Sequence, residues 1–258
     1  MVEKFTPTGR RWFRFSLRSF FLLIVVIAVS LGWTIYKVRQ QGIAVAALKT
    51  MGCSVGYDDP QNNSPTILER LRKLLGEDEP RSVTSVIGGR SQITDAGLVH
   101  LRGLTRLGVL DLTGTPVTDA GLLHLRGLTQ LVYLTLERTQ VTDAGLEHFR
   151  RLTQLRVLNL TGTQVTDAGL VHLQGLTQLI VLNLDGTQVT DAGLVHLRGL
   201  TQLQQLLLAN TQVTDAGMAN LQGLTQLQFL ILDETQVTDC QRALEEGPRW
   251  GASKAAGE

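Results

Sequence analysis

The sequence predicts an α/β solenoid, with short parallel strands on its concave face and short helices on its convex face, led by one membrane-spanning helix. Three observations predict it. Asp95, Asp119, Asp143, Asp167, Asp191, Asp215 and Asp239 recur every 24 residues without an insertion. Between them a Leu-x-Leu alternation precedes Thr-Asp-Ala-Gly-Leu, a strand signal and then a helix start. Ahead of the repeats, Phe20 to Tyr36 is a run of 17 residues without a charge.

The apolar run comes first in the chain. At 1.5 Å per residue it spans about 25 Å, the short end of what a bilayer core requires. Trp33 and Tyr36 stand where an interfacial belt would hold one end. Residues 1 to 41 carry seven Lys/Arg against Glu3 alone, and the remainder carries 17 basic and 22 acidic residues. A basic head and an acidic body therefore cancel to the net charge of +1. Arg10, Arg11, Arg14 and Arg18 precede the run, whereas only Lys37 and Arg39 follow closely, so the positive-inside rule places the N-terminus in the cytoplasm and the repeats outside it, in the periplasm or at the cell surface. Ala28-Val29-Ser30 would suit signal cleavage, but the apolar run continues through Leu31, Trp33 and Ile35, which favours an uncleaved anchor. The acidic body argues against nucleic acid as a partner, since phosphate binding needs clustered positive charge.

The expected organisation is a basic tail (1–18), a transmembrane signal anchor (19–37), a connecting and capping region (38–82), the repeats (83–240), then a capping helix and disordered tail (241–258). Within the connecting region, residues 42–51 continue a helix and residues 53–59 alternate like a short strand. Ser64 and Pro65 then open an amphipathic helix with Ile67, Leu68, Leu71, Leu74 and Leu75 on one stripe, closed by Gly76 and Pro80. Its expected role is to cover the open end of the stack, because a first unit has no neighbour on one side. The stretch before Leu98 reads as a degenerate first unit. Cys53 and Cys240 flank the array, about 30 Å apart at ~4.8 Å per unit, too far for a disulfide.

Each repeat position has a physical reading. Leu110/Leu112 and their equivalents bury one strand face, and strands joined by a 24-residue crossover run parallel. Thr supplies the helix cap and Asp favours the positive helix end. Leu122 and Leu125 turn the helix onto the strand. Gly103, Gly127, Gly175, Gly199 and Gly223 are expected to end the helices at positive φ. The glycine inside Thr-Asp-Ala-Gly-Leu costs about 1 kcal/mol of helix propensity, so its recurrence points to a spacer between closely packed helices.

These residues resemble the leucine-rich repeat family. The phrase Val-Thr-Asp-x-Gly-Leu-x-x-Leu is similar to the subtype with a cysteine ladder found in F-box substrate receptors, with Thr115, Thr139, Thr163, Thr187, Thr211 and Thr235 standing at the ladder position instead. The layout of apolar head plus repeats also resembles bacterial single-pass leucine-rich-repeat proteins. The resemblance spans residues 93–238 and implies a recognition fold that serves many partners.

Catalysis finds no foothold. Gly-x-Ser-x-Gly, His-Glu-x-x-His, the phosphate-binding Gly-x-x-x-x-Gly-Lys and Cys-x-x-Cys are absent. No cofactor and no small-molecule substrate is expected. His100, His124, His148, His172 and His196 share one repeat position, followed by Asn220. A line of single imidazoles does not close a zinc tetrahedron, and the aspartate column reads as helix capping rather than calcium binding. Arg150-Arg151 breaks the third unit, where the other units end on glycine.

Function is expected where the repeat varies. The outward strand columns read Val109, Tyr133, Val157, Val181, Gln205, Phe229, then Asp111, Thr135, Asn159, Asn183, Leu207, Ile231, then Thr113, Glu137, Thr161, Asp185, Ala209, Asp233. An apolar row edged by carboxylates has the composition of a protein interface. The candidate partner-binding residues are Val109, Asp111, Tyr133, Thr135, Glu137, Val157, Asn159, Val181, Asn183, Asp185, Phe229 and Ile231, and the carboxylates suggest a partner with a basic surface. The alternatives are a structural spacer of the cell envelope and an F-box-like intracellular receptor.

Overall fold

The computed structural model describes residues 17–58, 82–238 and 251–253, and falls into two units divided between Gln40 and Gln41. Helix α1, Leu17–Thr50, crosses that division. In the first unit its apolar side chains from Phe21 to Trp33 are exposed. Residues Phe21–Thr50 are long and apolar enough to cross a membrane, with an 18-residue window of mean hydropathy 2.1 and none of it buried. The Lys37 ammonium lies 4.0 Å from the centre of the Trp33 ring, a cation–π contact at the end of the uncharged run.

The second unit opens on the last turns of α1. Ala44 and Leu48 are buried there with Cys53, and Val45, Met51 and Val55 pack against the same core. Strand β1 (Ser54–Tyr57) pairs antiparallel with β2 (Val83–Ile87). These elements close the first end of the leucine core. The helix expected over residues 64–80 lies outside the described residues.

From β2 onward every pairing is parallel and in sequence order. The strands are β3 (Val109–Asp111), β4 (Tyr133–Thr135), β5 (Val157–Asn159), β6 (Val181–Asn183), β7 (Gln205–Leu207), β8 (Phe229–Ile231) and β9 (Gly251–Ser253). Their register advances by 24 residues per strand from β2 to β8, so Leu110, Leu134, Leu158, Leu182, Leu206 and Leu230 form one buried row. Strand β9 stands in the segment where the sequence reading expects a helix and tail. It supplies hydrogen-bonding partners to the edge of β8 that would otherwise end the sheet.

Opposite the strands lie α2 (Asp95–Leu98), α3 (Asp119–Leu122), α4 (Asp143–Leu146), α5 (Asp167–Leu170), α6 (Asp191–Leu194) and α7 (Asp215–Met218), each followed by a short 3₁₀ segment. Four-residue helices have little stability of their own, so capping and packing hold them. The hydroxyls of Thr118, Thr142, Thr166, Thr190 and Thr214 accept from the amide two residues on, as the sequence predicts. Thr94, at the first helix, makes no such bond.

The aspartates do more than favour a helix end. Asp143 Oδ1 accepts from the Thr166 amide at 2.7 Å, and its Oδ2 accepts from the Thr166 hydroxyl at 2.6 Å. The same two-pronged bond joins Asp95 to Thr118, Asp119 to Thr142, Asp167 to Thr190, Asp191 to Thr214 and Asp215 to Thr238. Each carboxylate therefore fastens its unit to the cap of the next. The ladder threonines act locally, each hydroxyl donating to the carbonyl three residues earlier, as Thr163 does to Leu160 at 2.6 Å.

The spacer reading of the inner glycines holds. A Cβ built on Gly145 would collide with Asp119 Oδ1 and stand 2.8 Å from Leu122 Cδ1. The reading of the outer glycines does not. Gly103, Gly127, Gly175, Gly199 and Gly223 are absent from the left-handed backbone region, which is occupied after the strands by Gly114, Arg138, Gly162, Gly186, Asn210 and Glu234. The chain reverses there, one residue before the ladder threonine, and not at the helix end.

Candidate binding surface

The strands expose three outward columns on one sheet, in the order and register the repeat dictates. In the first column Tyr133 and Phe229 are 37% and 53% exposed, while Val109, Val157, Val181 and Gln205 are half-buried between their neighbours. Four strand spacings of ~4.8 Å put the two aromatic rings about 19 Å apart. An aromatic ring exposed on a rigid strand offers large contact area with little conformational entropy to lose.

The second column is polar at its first end and apolar at its last. Asp111 Oδ1 accepts from the Thr113 amide at 2.9 Å, Asn183 Oδ1 from the Asp185 amide at 2.9 Å, and Asn159 Oδ1 from both the amide and the hydroxyl of Thr161 at 2.9 and 2.6 Å. Each side chain thereby caps the end of its own strand, as Asn and Asp side chains do two residues ahead of a free amide. Thr135 departs from expectation. It is buried, only 4% exposed, because its short side chain stands in register between Asp111 and Asn159, with its hydroxyl 3.2 Å from that of Thr113. It can shape the surface but offers no area to a partner. In the last two units Leu207 and Ile231 replace the caps, and with Phe229 they turn this end of the sheet apolar.

The third column carries the charge. Glu137 sits 3.8 Å from Arg138 Nε and accepts weakly from Asn159 Nδ2 at 3.4 Å, so its charge is partly offset. Asp185 Oδ1 accepts from the Ala209 amide at 2.7 Å. Burial pushes the Asp185 carboxyl above its ordinary range against the pull of that amide, and the nearby Asp233 adds to the rise. The sheet thus brings together eleven of the twelve candidate residues as exposed or half-buried groups and withholds Thr135. Leu207, outside that set, belongs with them by position; its signal was the loss of the Asx cap from its column.

The histidines lie on the helix side, away from these columns. Three of them accept at Nδ1 from the preceding unit: Arg102 Nε donates to His124 at 2.8 Å, Arg126 Nε to His148 at 3.0 Å, and Arg150 Nε and Nη2 to His172 at 3.3 and 2.9 Å. An acceptor nitrogen is unprotonated, which leaves the His124 and His148 imidazoles neutral in the fold. Burial lowers the His124 and His148 pKa values, and the adjacent Arg102 and Arg126 lower them further. Among the described residues, no three His, Cys, Asp or Glu side chains converge on one point.

The comparisons with known proteins agree with this architecture. A family model described as the leucine-rich repeat matches residues 152–173. No curated protein sequence matches the chain. Among solved structures, internalin C2 of Listeria monocytogenes superposes with a TM-score of 0.56 at 22% identity, covering 81% of this chain and 96% of that one. A TDR receptor aligns with a TM-score of 0.45 at 20% identity, over 60% of this chain and 27% of the receptor.

Proposed function

Because this chain carries leucine-rich repeats stacked as a solenoid behind an apolar helix, we propose that it is a membrane-anchored module that binds a protein on its concave face. The carrying observation is the exposed aromatic pair. Tyr133 and Phe229 are exposed in a column whose other members, Val109, Val157, Val181 and Gln205, are half-buried, and exposed aromatic side chains are enriched at interfaces. The carboxylates Asp111, Asp185 and Asp233 favour a basic partner surface, contributing mainly to on-rate and orientation. The arginines ahead of the apolar run support a cytoplasmic N-terminus with the repeats on the far side.

Two measurements test this reading. A phosphatase that is active only outside the cytoplasm, fused after Glu258, should be active in a protein that sediments with membranes. An inactive reporter would reverse the orientation and bring an intracellular receptor role forward. Crosslinking of the membrane-embedded chain should then capture a partner that is lost when Tyr133 and Phe229 are both alanine. Capture unchanged in that double variant would overturn the concave-face assignment.

A second reading rests on the near identity of the units. Thr139–Leu146, Thr163–Leu170 and Thr187–Leu194 are the same eight residues. Uniform units suit an envelope spacer without a specific ligand, and for a spacer the double variant would be indistinguishable from the parent in every binding assay.

A further inference from the structure

The third unit departs from the repeat on the side away from the concave sheet. Arg151 replaces the glycine found at Gly103, Gly127, Gly175, Gly199 and Gly223, and Glu147 replaces the aliphatic residue found at Leu123, Val171 and Val195. At four of those glycines a Cβ would meet nothing within 4 Å, and at Gly199 only a carbonyl at 3.9 Å. The fold therefore does not require glycine there, and Arg151 is exposed. Arg126, Glu147, His148, Arg150 and Arg151 line a surface cavity of about 310 Å³. Three guanidinium groups and one carboxylate leave two positive charges around it, since His148 accepts from Arg126 and is neutral. This is set against a body with 17 basic and 22 acidic residues.

We propose that this cavity binds a doubly charged oxyanion of the phosphomonoester class. Arginine forks present paired N–H donors that match phosphate oxygens, and most of those donors remain available. Arg126 commits Nε to His148 and leans one terminal nitrogen toward Glu147 at 4.0 Å, while Arg150 is held by His172. Both side chains are thereby positioned before a ligand arrives, which reduces the ordering that binding must impose. Arg151 supplies a full fork. The two net charges match one dianion, and the volume exceeds a bare phosphate, leaving room for the group that carries it. A long polyanion fits less well, because Gln174 interrupts the arginine column between Arg150 and Arg198.

The test uses the full chain in neutral-lipid nanodiscs and equilibrium dialysis with glycerol 3-phosphate at low ionic strength. The comparison is with Arg150→Gln/Arg151→Gly, which gives the third unit the Gln-Gly pair that the fourth carries at Gln174-Gly175 and so keeps the fold within its own repertoire. Saturable binding at one site per chain, weakened about tenfold or more in the double variant, is expected. A second set of discs containing phosphatidic acid identifies the source of the phosphate. Competition there with glycerol 3-phosphate points to a lipid headgroup, and unchanged binding to a soluble phosphomonoester. Absence of saturable binding in both sets of discs, or equal binding by parent and double variant, would overturn the proposal.

Discussion

Replacing Gly145 with alanine tests the joint between units, because local and tertiary effects predict opposite signs. In an isolated helix the change would stabilise by about 1 kcal/mol, since alanine loses less backbone entropy than glycine. In the solenoid the new methyl would overlap Asp119 Oδ1, with Leu122 Cδ1 at 2.8 Å and Val141 Cγ1 at 3.2 Å. Asp119 has no free direction in which to retreat, because it holds the Thr142 amide at 2.8 Å and the Thr142 hydroxyl at 2.6 Å. Overpacking of this kind costs about 1–3 kcal/mol. Loosening two bonds to a carboxylate adds a comparable amount, about 1–3 kcal/mol. Set against the gain in propensity, the net expectation is a loss of about 3 kcal/mol. Gly175→Ala is the matched control: nothing lies within 4 Å of its added methyl and its backbone is outside the left-handed region, so stability should hold within about 0.5 kcal/mol. Urea titration of the full chain in detergent, followed by hydrogen exchange of peptides from the repeats, reads both variants on one scale. If Gly145→Ala proves as stable as Gly175→Ala, the close-packed joint is not what the recurring glycine serves.

Three further outcomes follow from the same contacts. Asp143→Ala removes both bonds to Thr166 and should cost about 2–3 kcal/mol, with the fastest new exchange at the Thr166 amide; protection unchanged at that amide would show the bridge to be incidental. Thr163→Val keeps the shape but deletes the hydroxyl bond to Leu160. That carbonyl still accepts from the Thr163 amide at 3.2 Å, so the loss in urea titration should be about 1 kcal/mol, and a loss above ~3 kcal/mol would contradict this account. The lowered pKa values of His124 and His148 make the unfolded chain the better proton acceptor. Stability is therefore full above the ordinary histidine value of 6.5 and falls as the pH drops through the lower folded values; a thermal midpoint that rises between pH 7 and pH 5 would refute the neutral-imidazole ladder.

Much of the fold was legible because the sequence writes the same physics six times. Period-two leucines, a capping threonine and a fixed 24-residue interval leave few architectures open, and the glycine inside each helix disclosed the close approach by being costly anywhere else. What the letters concealed were relations between units. The Asp143–Thr166 bridge spans 23 residues, so a helix-end argument confined to one unit sees only the local half of its role. The outer glycines were misread because glycine at a helix end suggests a left-handed cap, whereas the real turn was marked by Gly114, Gly162, Gly186 and Asn210 one residue before the threonine ladder. On the candidate surface, the columns followed from alternation alone. Thr135 was lost from them because exposure depends on the relative length of cross-strand neighbours, which periodicity does not encode.

The aspartate bridge makes copy number a quantity that inheritance can change without redesign. Excising residues 144–167 would set Asp143 against Thr190, which has the same amide and hydroxyl as Thr166, and every remaining bridge would re-form. Duplication of the same 24 residues would be absorbed equally well. Unequal recombination between such similar segments thus yields a graded series of longer and shorter solenoids, each step adding or removing about 4.8 Å of sheet. Reach can therefore change by whole units in a lineage, while surface columns such as Tyr133 and Phe229 change by point substitution, and neither process disturbs the other.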